Sequence, residues 1–415
     1  MTSEPVVALP GSTSDLLGVL LACIRTERKA RLALVGGAVR DALLHQLSRD
    51  PWQELLDLDF VFEGSCSDLA QSLQQMLGWE RLSGLQLHEN FGTAELRIDG
   101  LSIDLASART EIYPAPGLNP LVEPGSLEKD LARRDFTVNA MAVVLQPDGG
   151  QLLMDPFGGQ EHLAKRQLAF LHEASVKDDP TRVIRAARYG ARLGFSLAPE
   201  ALSQVRRTLT AWPWAWRHGD PMDAVPPALG TRLRMELDLL LEREPWPEAL
   251  GLLQEWSAMP LLDPGLQIES RLQRRLGWAV RLGLPAMAAF VAAAADPIAL
   301  ARRLQIPMQQ QRWLEELIEL RCWLLREVIP QPWVEWSALD WTQRIESGCW
   351  SVEVVALAIV DNPPCRSSLL RWWGRWRHVV SPISARELMA RGVRPGPELG
   401  EALRQERAQV LEAMR

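Results

Sequence analysis

The chain has 415 residues, 47% hydrophobic and 23% charged, with a formal net charge of −7. That length exceeds one ordinary core and predicts two to four domains, and the composition is that of a folded soluble protein rather than a disordered one. The acidity argues against a general nucleic-acid coat but leaves room for a locally basic groove. All but four of the 45 basic residues are arginine, a side chain suited to bidentate phosphate contacts.

The cysteines (Cys23, Cys66, Cys322, Cys349 and Cys365) are odd in number, far apart and without a C-x-x-C pair. They predict a reducing cytoplasm, with neither a disulfide framework nor a zinc site. The start, MTSEPVVALPGSTSD, has neither the basic opening nor the apolar stretch of an export signal. No apolar run reaches the ~20 residues of a membrane span. The expected location is cytoplasmic, away from membranes.

In chain order, RLALV reads as a short apolar strand and VRDALLHQL as a helix. Between them lie Gly36 and Gly37, with Arg40 three residues on. Glycine permits a tight turn and close approach of a ligand, and the helix start that follows favours an anion. LDLDF reads as a strand with period-two alternation, and SDLAQSLQQML as a helix. GTAELRIDGLSIDLASA reads as a hairpin turning at Asp99-Gly100. YPAPGLNPLVEPGS is too broken for either periodicity and reads as a Pro-rich loop. After DPFGG the strand signals fade, and helical spacing dominates to the end.

Asp57 and Asp59 are two apart on a strand, so both carboxylates leave one face. Adjacent acids repel unless a cation offsets them, and a hard divalent ion such as Mg²⁺ shared with phosphate oxygens is one answer. A solvated strand face is the other. Asp104, on the predicted hairpin, is either a third acid on the same sheet or a hydrogen-bonding residue. Arg133 and Arg134, before an apolar run, can set a guanidinium against a triphosphate or form a salt bridge at a helix end.

In KDDPTRVIRAARYGARLGF, Asp179 precedes Pro180, while Arg182, Arg185 and Arg188 follow at intervals of three. Each three-step falls ~60° short of a full turn, so Asp179 and Arg182 share a face while Arg188 rotates to the far side. Asp179 and Arg182 can offer an acceptor and donors to a base edge. The later arginines suit phosphate or a contact between domains. LLRWWGRWRHVV interleaves Arg371, Arg375 and Arg377 with Trp372, Trp373 and Trp376, a pattern that serves RNA stacking or helix packing.

Taken together, LVGGAVRD, LDLDF, RRDFTVNAMA, DPFGG and DDPTRVIRAARYGARLGF resemble, in order and spacing, the signature blocks of the class II tRNA nucleotidyltransferases (CCA-adding enzymes) and their bacterial poly(A) polymerase relatives. The resemblance is specific over residues 31 to 195 and returns in TRLRMELDLLL and near the C-terminus. It implies an α+β fold: a polymerase-β-like head with a small mixed sheet over residues 1–144, a helical neck over 145–265 that recognises the base, and a helical body and tail over 266–415 that binds tRNA.

The resemblance further implies that Asp57 and Asp59 are catalytic and hold Mg²⁺. Gly36, Gly37 and Arg40 would lie against the triphosphate, and Arg133 or Arg134 near the sugar and phosphates. Asp179 and Arg182 would read the base in place of a template, with Arg185 and Arg188 completing the nucleotide set. The implied partners are a tRNA 3′ end and ATP, with CTP left open. There are departures. Asp178 stands where the family often has glutamate. Thr231 does too, while Arg232 and Glu236 match on what reads as a supporting helix. No His-Asp pair suits an appended phosphohydrolase.

The sequence leaves full CCA, CC-only and A-only addition open, although the Pro-rich loop from Tyr113 to Gly125 resembles that of A-adding members. Poly(A) addition to RNA is an alternative, and a non-catalytic RNA-binding protein is a second.

Overall fold

The computed structural model describes residues 11–24, 30–48 and 57–414. The leading segment read for an export signal begins outside that set, and the side chains of Cys23 and Asp57 lie outside it too. The chain divides into two compact units. One comprises Met1–Arg217, Pro226–Glu236 and Glu244–Ala258; the other comprises His218–Val225, Leu237–Arg243 and Met259–Arg415.

The first unit contains strands β1 (Leu32–Val35), β2 (Asp57–Phe62), β3 (Leu82–His88), β4 (Thr93–Ile98), β5 (Leu101–Ser107), β6 (Arg109–Ile112), β7 (Leu121–Pro124), β8 (Ala142–Leu145) and β9 (Gln151–Met154). Seven of them form one mixed sheet in the order β3-β4-β5-β2-β1-β8-β9, in which only the β2–β5 pairing is parallel. Central β1 is buried along its whole length, which is why LALV carries no polar alternation.

One face of the sheet packs Ala33, Val35, Val61, Ala142 and Val144 against Leu127 and Leu131 of the helix Leu127–Ala132. The helix Cys66–Arg81 starts with a Ser65 cap that accepts from the Asp68 amide, and it buries Leu69, Ala70 and Leu73. A fully buried leucine is worth about 1.5–3 kcal/mol, so the apolar spacing rather than helix propensity fixes this element. The hairpin at Asp99-Gly100 forms as read, with φ of 50° and 85°, the backbone of a type I′ turn.

Three elements depart from the sequence reading. β3 was not foreseen, and it pairs with β4 across a register shift near Gly84. The Pro-rich stretch is not wholly a loop, because β7 within it pairs with β6. The sheet also runs past residue 144, since β9 pairs with β8.

The second unit is helical. VEVVALAIV, the helix Val352–Val360, buries every residue from Val354 to Val360, as expected of a helix that is apolar all round. The helix Leu272–Arg281 buries Leu272, Leu276 and Ala279 and leaves Arg274 and Arg281 exposed. In the tryptophan-rich stretch, Trp372 and Trp376 are buried, so packing claims both rings. Trp373 instead carries the Arg377 guanidinium 5.3 Å from its ring centroid. Among the described residues no helix is long and apolar enough to cross a membrane.

Candidate active site

The turn after β1 meets the acidic strand. Gly36 has φ of +71°, and a Cβ there would lie 3.1 Å from Asp59 Oδ2 and 3.4 Å from Arg134 Nη1. Any larger residue would press on both groups, and only glycine takes this conformation without strain. The helix Gly37–Ser48 begins at the next residue, so its first amides have no intrahelical acceptors. Gly36, Gly37 and Asp59 line one cleft of about 360 Å³ in the first unit.

On β2, Leu58 and Phe60 are buried, which turns the intervening Asp59 to the opposite face. Asp57 occupies the same strand two residues earlier, opposite Ser102. Asp104 on β5 stands directly across from Asp59, and Glu95 on β4 directly across from Asp104. Asp59, Glu95 and Asp104 also line a second cleft of about 350 Å³. Among the described side chains no group of three acids, histidines or cysteines forms a metal-binding cluster.

The arginine wall rests on two carboxylates. Asp130 is fully buried; it accepts from Arg133 Nε at 2.9 Å and Arg134 Nη2 at 3.0 Å. Glu111 accepts from Arg109 Nη2 at 3.0 Å and Arg133 Nη1 at 3.1 Å. All of Arg109, Arg133 and Arg134 line the cleft, so the wall keeps one positive charge in excess. Arg109 Nε and Arg134 Nε are buried without an acceptor, a costly state for a donor. The arrangement suits a polyanion.

Tyr113, Asp179, Arg182 and Arg232 line the same cleft. Asp179 is 5% exposed. Its Oδ1 accepts from Thr181 N and Oγ1 at 3.1 and 2.6 Å, and its Oδ2 accepts from Arg232 Nη2 at 2.5 Å. Arg182, also buried, donates to the carbonyl of Arg133 at 3.1 Å. Both side chains are therefore oriented before any ligand arrives. Burial raises the Tyr113 phenol, and the Asp179 charge adds to the rise, so the phenol stays a neutral donor.

The later arginines divide as the helical rotation requires. Arg185 lines the cleft and donates to Asp135 Oδ2 at 2.9 Å. Burial alone would raise the Asp135 carboxyl, but the Arg185 charge and the Asn139 hydrogen bond outweigh it and hold the group below the usual carboxylate range. Arg188 does not line the cleft; it pairs with Glu236 and Glu244. Arg40 does not line it either. Its guanidinium is buried, donating to Asn139 Oδ1 at 2.9 Å and Asp41 Oδ1 at 2.7 Å, and lies 5.4 Å from the Tyr189 ring centroid. Arg40 thus holds Asn139 and lies by Tyr189, both of which line the cleft, and a Cβ on cleft-lining Gly37 would lie 3.5 Å from its Nη2.

Sequence reasoning missed Arg109, Glu111 and Tyr113, although their spacing of two along RTEIY was the available signal. It placed Arg232 on a supporting helix, whereas that guanidinium reaches Asp179.

A family model for the poly(A) polymerase head domain matches residues 32–169. Over 386 residues the chain is 36% identical to the CC-adding tRNA nucleotidyltransferase of Deinococcus radiodurans, covering 91% of this chain and 84% of that one. It is 34% identical over 248 residues to the A-adding tRNA nucleotidyltransferase of Aquifex aeolicus, covering 59% of this chain and 27% of that one. A solved apo structure of a CCA-adding enzyme shares the fold, with a TM-score of 0.76 at 23% identity over 97% of this chain and 93% of the other. With that identity sustained along nearly its whole length, this chain belongs to the class II tRNA nucleotidyltransferase family of enzymes.

Proposed function

We propose that the chain adds nucleotides to the 3′ end of tRNA without a nucleic-acid template, with C addition as its first activity. The observation that carries the reading is the cleft that Asp59 lines together with Arg109, Arg133, Arg134 and the preset Asp179–Arg232 pair. C addition is favoured because identity to the CC-adding relative extends over 91% of this chain, whereas the A-adding match spans 59%.

In the reaction the RNA 3′-hydroxyl gives up its proton to solvent as its oxygen bonds to the α-phosphorus of the nucleotide. The bond to the bridging oxygen breaks, and pyrophosphate leaves with its electron pair. Arg109, Arg133 and Arg134 hold the leaving phosphates and accept their growing charge. Asp179 and Arg182 present one acceptor face and one donor face to the base, which replaces template pairing by protein hydrogen bonds. Asp104 and Glu95 border the second cleft, which leaves that side of Asp59 for the RNA terminus.

Enzymes of this family use a divalent metal ion. The hard oxygen donors along the Asp57–Asp59 strand, with Asp104 across from Asp59, fit Mg²⁺, with Asp57 and Asp59 as the residues that would hold it. When bound, Mg²⁺ neutralises phosphate charge and lowers the pKa of the attacking hydroxyl. Free thiols at Cys66, Cys322, Cys349 and Cys365 and a tRNA substrate fit a cytoplasmic site of action.

The test supplies purified protein and Mg²⁺ with labelled CTP or ATP. The acceptors are tRNAs ending before C74, ending at CC or complete, and an unstructured RNA. The expected result is label from CTP in the shortest tRNA, stopping after two additions. Label only from ATP into the CC-ended tRNA would make it A-adding. Long A tails on every RNA would make it a poly(A) polymerase, and no incorporation would leave a binding protein.

Arg232→Ala should lower discrimination between CTP and ATP. Losing a charge-assisted bond frees Asp179 Oδ2 at a cost of about 1.5 kcal/mol, roughly tenfold in the ratio of kcat/KM values. An unchanged ratio would remove Arg232 from base selection.

A further inference from the structure

The second unit holds a cavity of about 400 Å³ that joins two guanidiniums to an apolar wall. Arg275, Arg321 and Asp361 line it together with Leu324, Leu325 and the alanines at 292–294. Asp361 accepts from Arg275 Nη2, from Arg321 Nε at 2.6 Å and from Arg321 Nη2 at 2.8 Å. The carbonyl of Ala292 accepts a further bond from Arg321 Nη2 at 2.8 Å. These bonds tie helices together, but they leave donors over. Among the described residues nothing accepts from Arg321 Nη1, on a side chain 28% exposed, and Arg275 Nε is buried without an acceptor. Glu269 lies 3.9 Å from Arg275 Nη1 and does not line the cavity. The lining therefore sets two guanidiniums against one carboxylate. Leu324 and Leu325 belong to a π turn, Leu324–Val328, that follows the helix Met308–Trp323. The Ile329 amide closes it on the Leu324 carbonyl at 2.9 Å. Such turns are rare and frequently mark functional sites. Leu325 is left 65% exposed.

We infer that this cavity binds a small monocarboxylate with an apolar body, its carboxylate on the Arg275–Arg321 pair and its body on the alanines and Leu325. The volume is that of a small-molecule pocket, and an apolar wall with a few placed polar groups is the usual lining of one. A planar carboxylate matches the guanidinium fork, and its single negative charge balances the excess in the lining. Asp361 already fixes both arginines, so little side-chain freedom is lost on binding. A phosphate dianion fits less well. It brings more charge than the lining offsets, and it turns oxygens toward alanine and leucine side chains that cannot hydrogen-bond them. The same mismatch disfavours an RNA backbone, which has no apolar body to cover Leu325. The inference is independent of the nucleotide-addition reading.

The test titrates the full chain with sodium hexanoate, read by saturation-transfer NMR and calorimetry. Hexanamide serves as the uncharged isostere and inorganic phosphate as the competing anion. Hexanoate should bind with a Kd of about 1 mM, and hexanamide and phosphate at least about tenfold more weakly. Leu325→Glu, at an exposed position, places a like charge beside the ligand and should weaken hexanoate about tenfold, whereas Leu325→Gln should cost about threefold. Ala293→Leu fills the cavity and should abolish binding. Should that variant fail to fold, the Leu325 pair still decides. Equal binding of hexanamide would mark adsorption to an apolar surface and overturn the site. So would phosphate competing at equal affinity, hexanoate binding that ignores Leu325→Glu, or no saturable binding up to about 20 mM. A tRNA transcript that displaces hexanoate from the unaltered protein but not from Leu325→Glu would give the cavity to RNA and overturn it too. Direct binding is read without nucleotide or turnover, so its failure and that of the incorporation assay are separate results.

Discussion

Asp59→Asn will lower nucleotide incorporation by about a thousandfold while leaving tRNA affinity close to that of the unaltered protein. The amide has nearly the carboxylate's size, so the buried neighbours Leu58 and Phe60 keep their packing and β2 keeps its register. What changes is charge: a neutral group no longer holds a divalent ion or offsets the arginines across the cleft. Losing about 4 kcal/mol of transition-state stabilisation gives that factor. Asp57→Asn, on the same strand, should fall comparably. Single-turnover rates with saturating CTP and tRNA check both variants, and turnover within tenfold of the starting enzyme would contradict the assignment.

The second large effect belongs to Asp130, a residue that touches no substrate in this account. Asp130→Ala removes the carboxylate shared by Arg133 and Arg134, two guanidiniums whose side chains are only 18% and 17% exposed. Breaking a buried ion pair from one side leaves uncompensated charge, and a loss of about 3 kcal/mol in unfolding free energy is expected. Glu111 limits the damage by retaining Arg133, whereas Arg134 loses the carboxylate to which its Nη2 donates. Two effects then oppose each other at the triphosphate: less neutralised arginines attract it more, and less oriented arginines stabilise departing pyrophosphate less. Catalysis depends on preorganised donors, so kcat should fall further than KM for CTP rises. Denaturant unfolding and steady-state kinetics measure the two quantities, and a stability change below about 1 kcal/mol would show that Asp130 is not the anchor of the wall.

Much of the site was legible because it is written in local spacing. The glycine turn and the turn of Asp59 away from buried Leu58 and Phe60 each lie within a few residues, where backbone geometry decides direction. Asp179 and Arg182 line one cleft, but Asp179 is extended ahead of the helix Thr181–Leu193, so no shared helical face places it. The less legible parts depend on partners distant in sequence. Arg40 sits beside Gly37 in the chain, yet Asn139, 99 positions away, claims its guanidinium. Arg232 reaches Asp179 across 53 positions, a pairing that no periodicity announces. β7 is exposed at every residue, so it carries no burial pattern and is held by its backbone bonds to β6. β3 mixes Gly84 and polar residues with leucines over a bulged register, which erases alternation. The tryptophans at 372 and 376 show the reverse case, in which a motif suited to RNA stacking is absorbed by the core.

The most direct measurement is a structure of the protein with CTP, Mg²⁺ and a tRNA ending before C74. The triphosphate should lie along Arg109, Arg133 and Arg134, with the cytosine edge on Asp179 and Arg182 and the α-phosphate beside Asp59. A nucleotide bound elsewhere, or one whose phosphates avoid that arginine wall, would contradict the account.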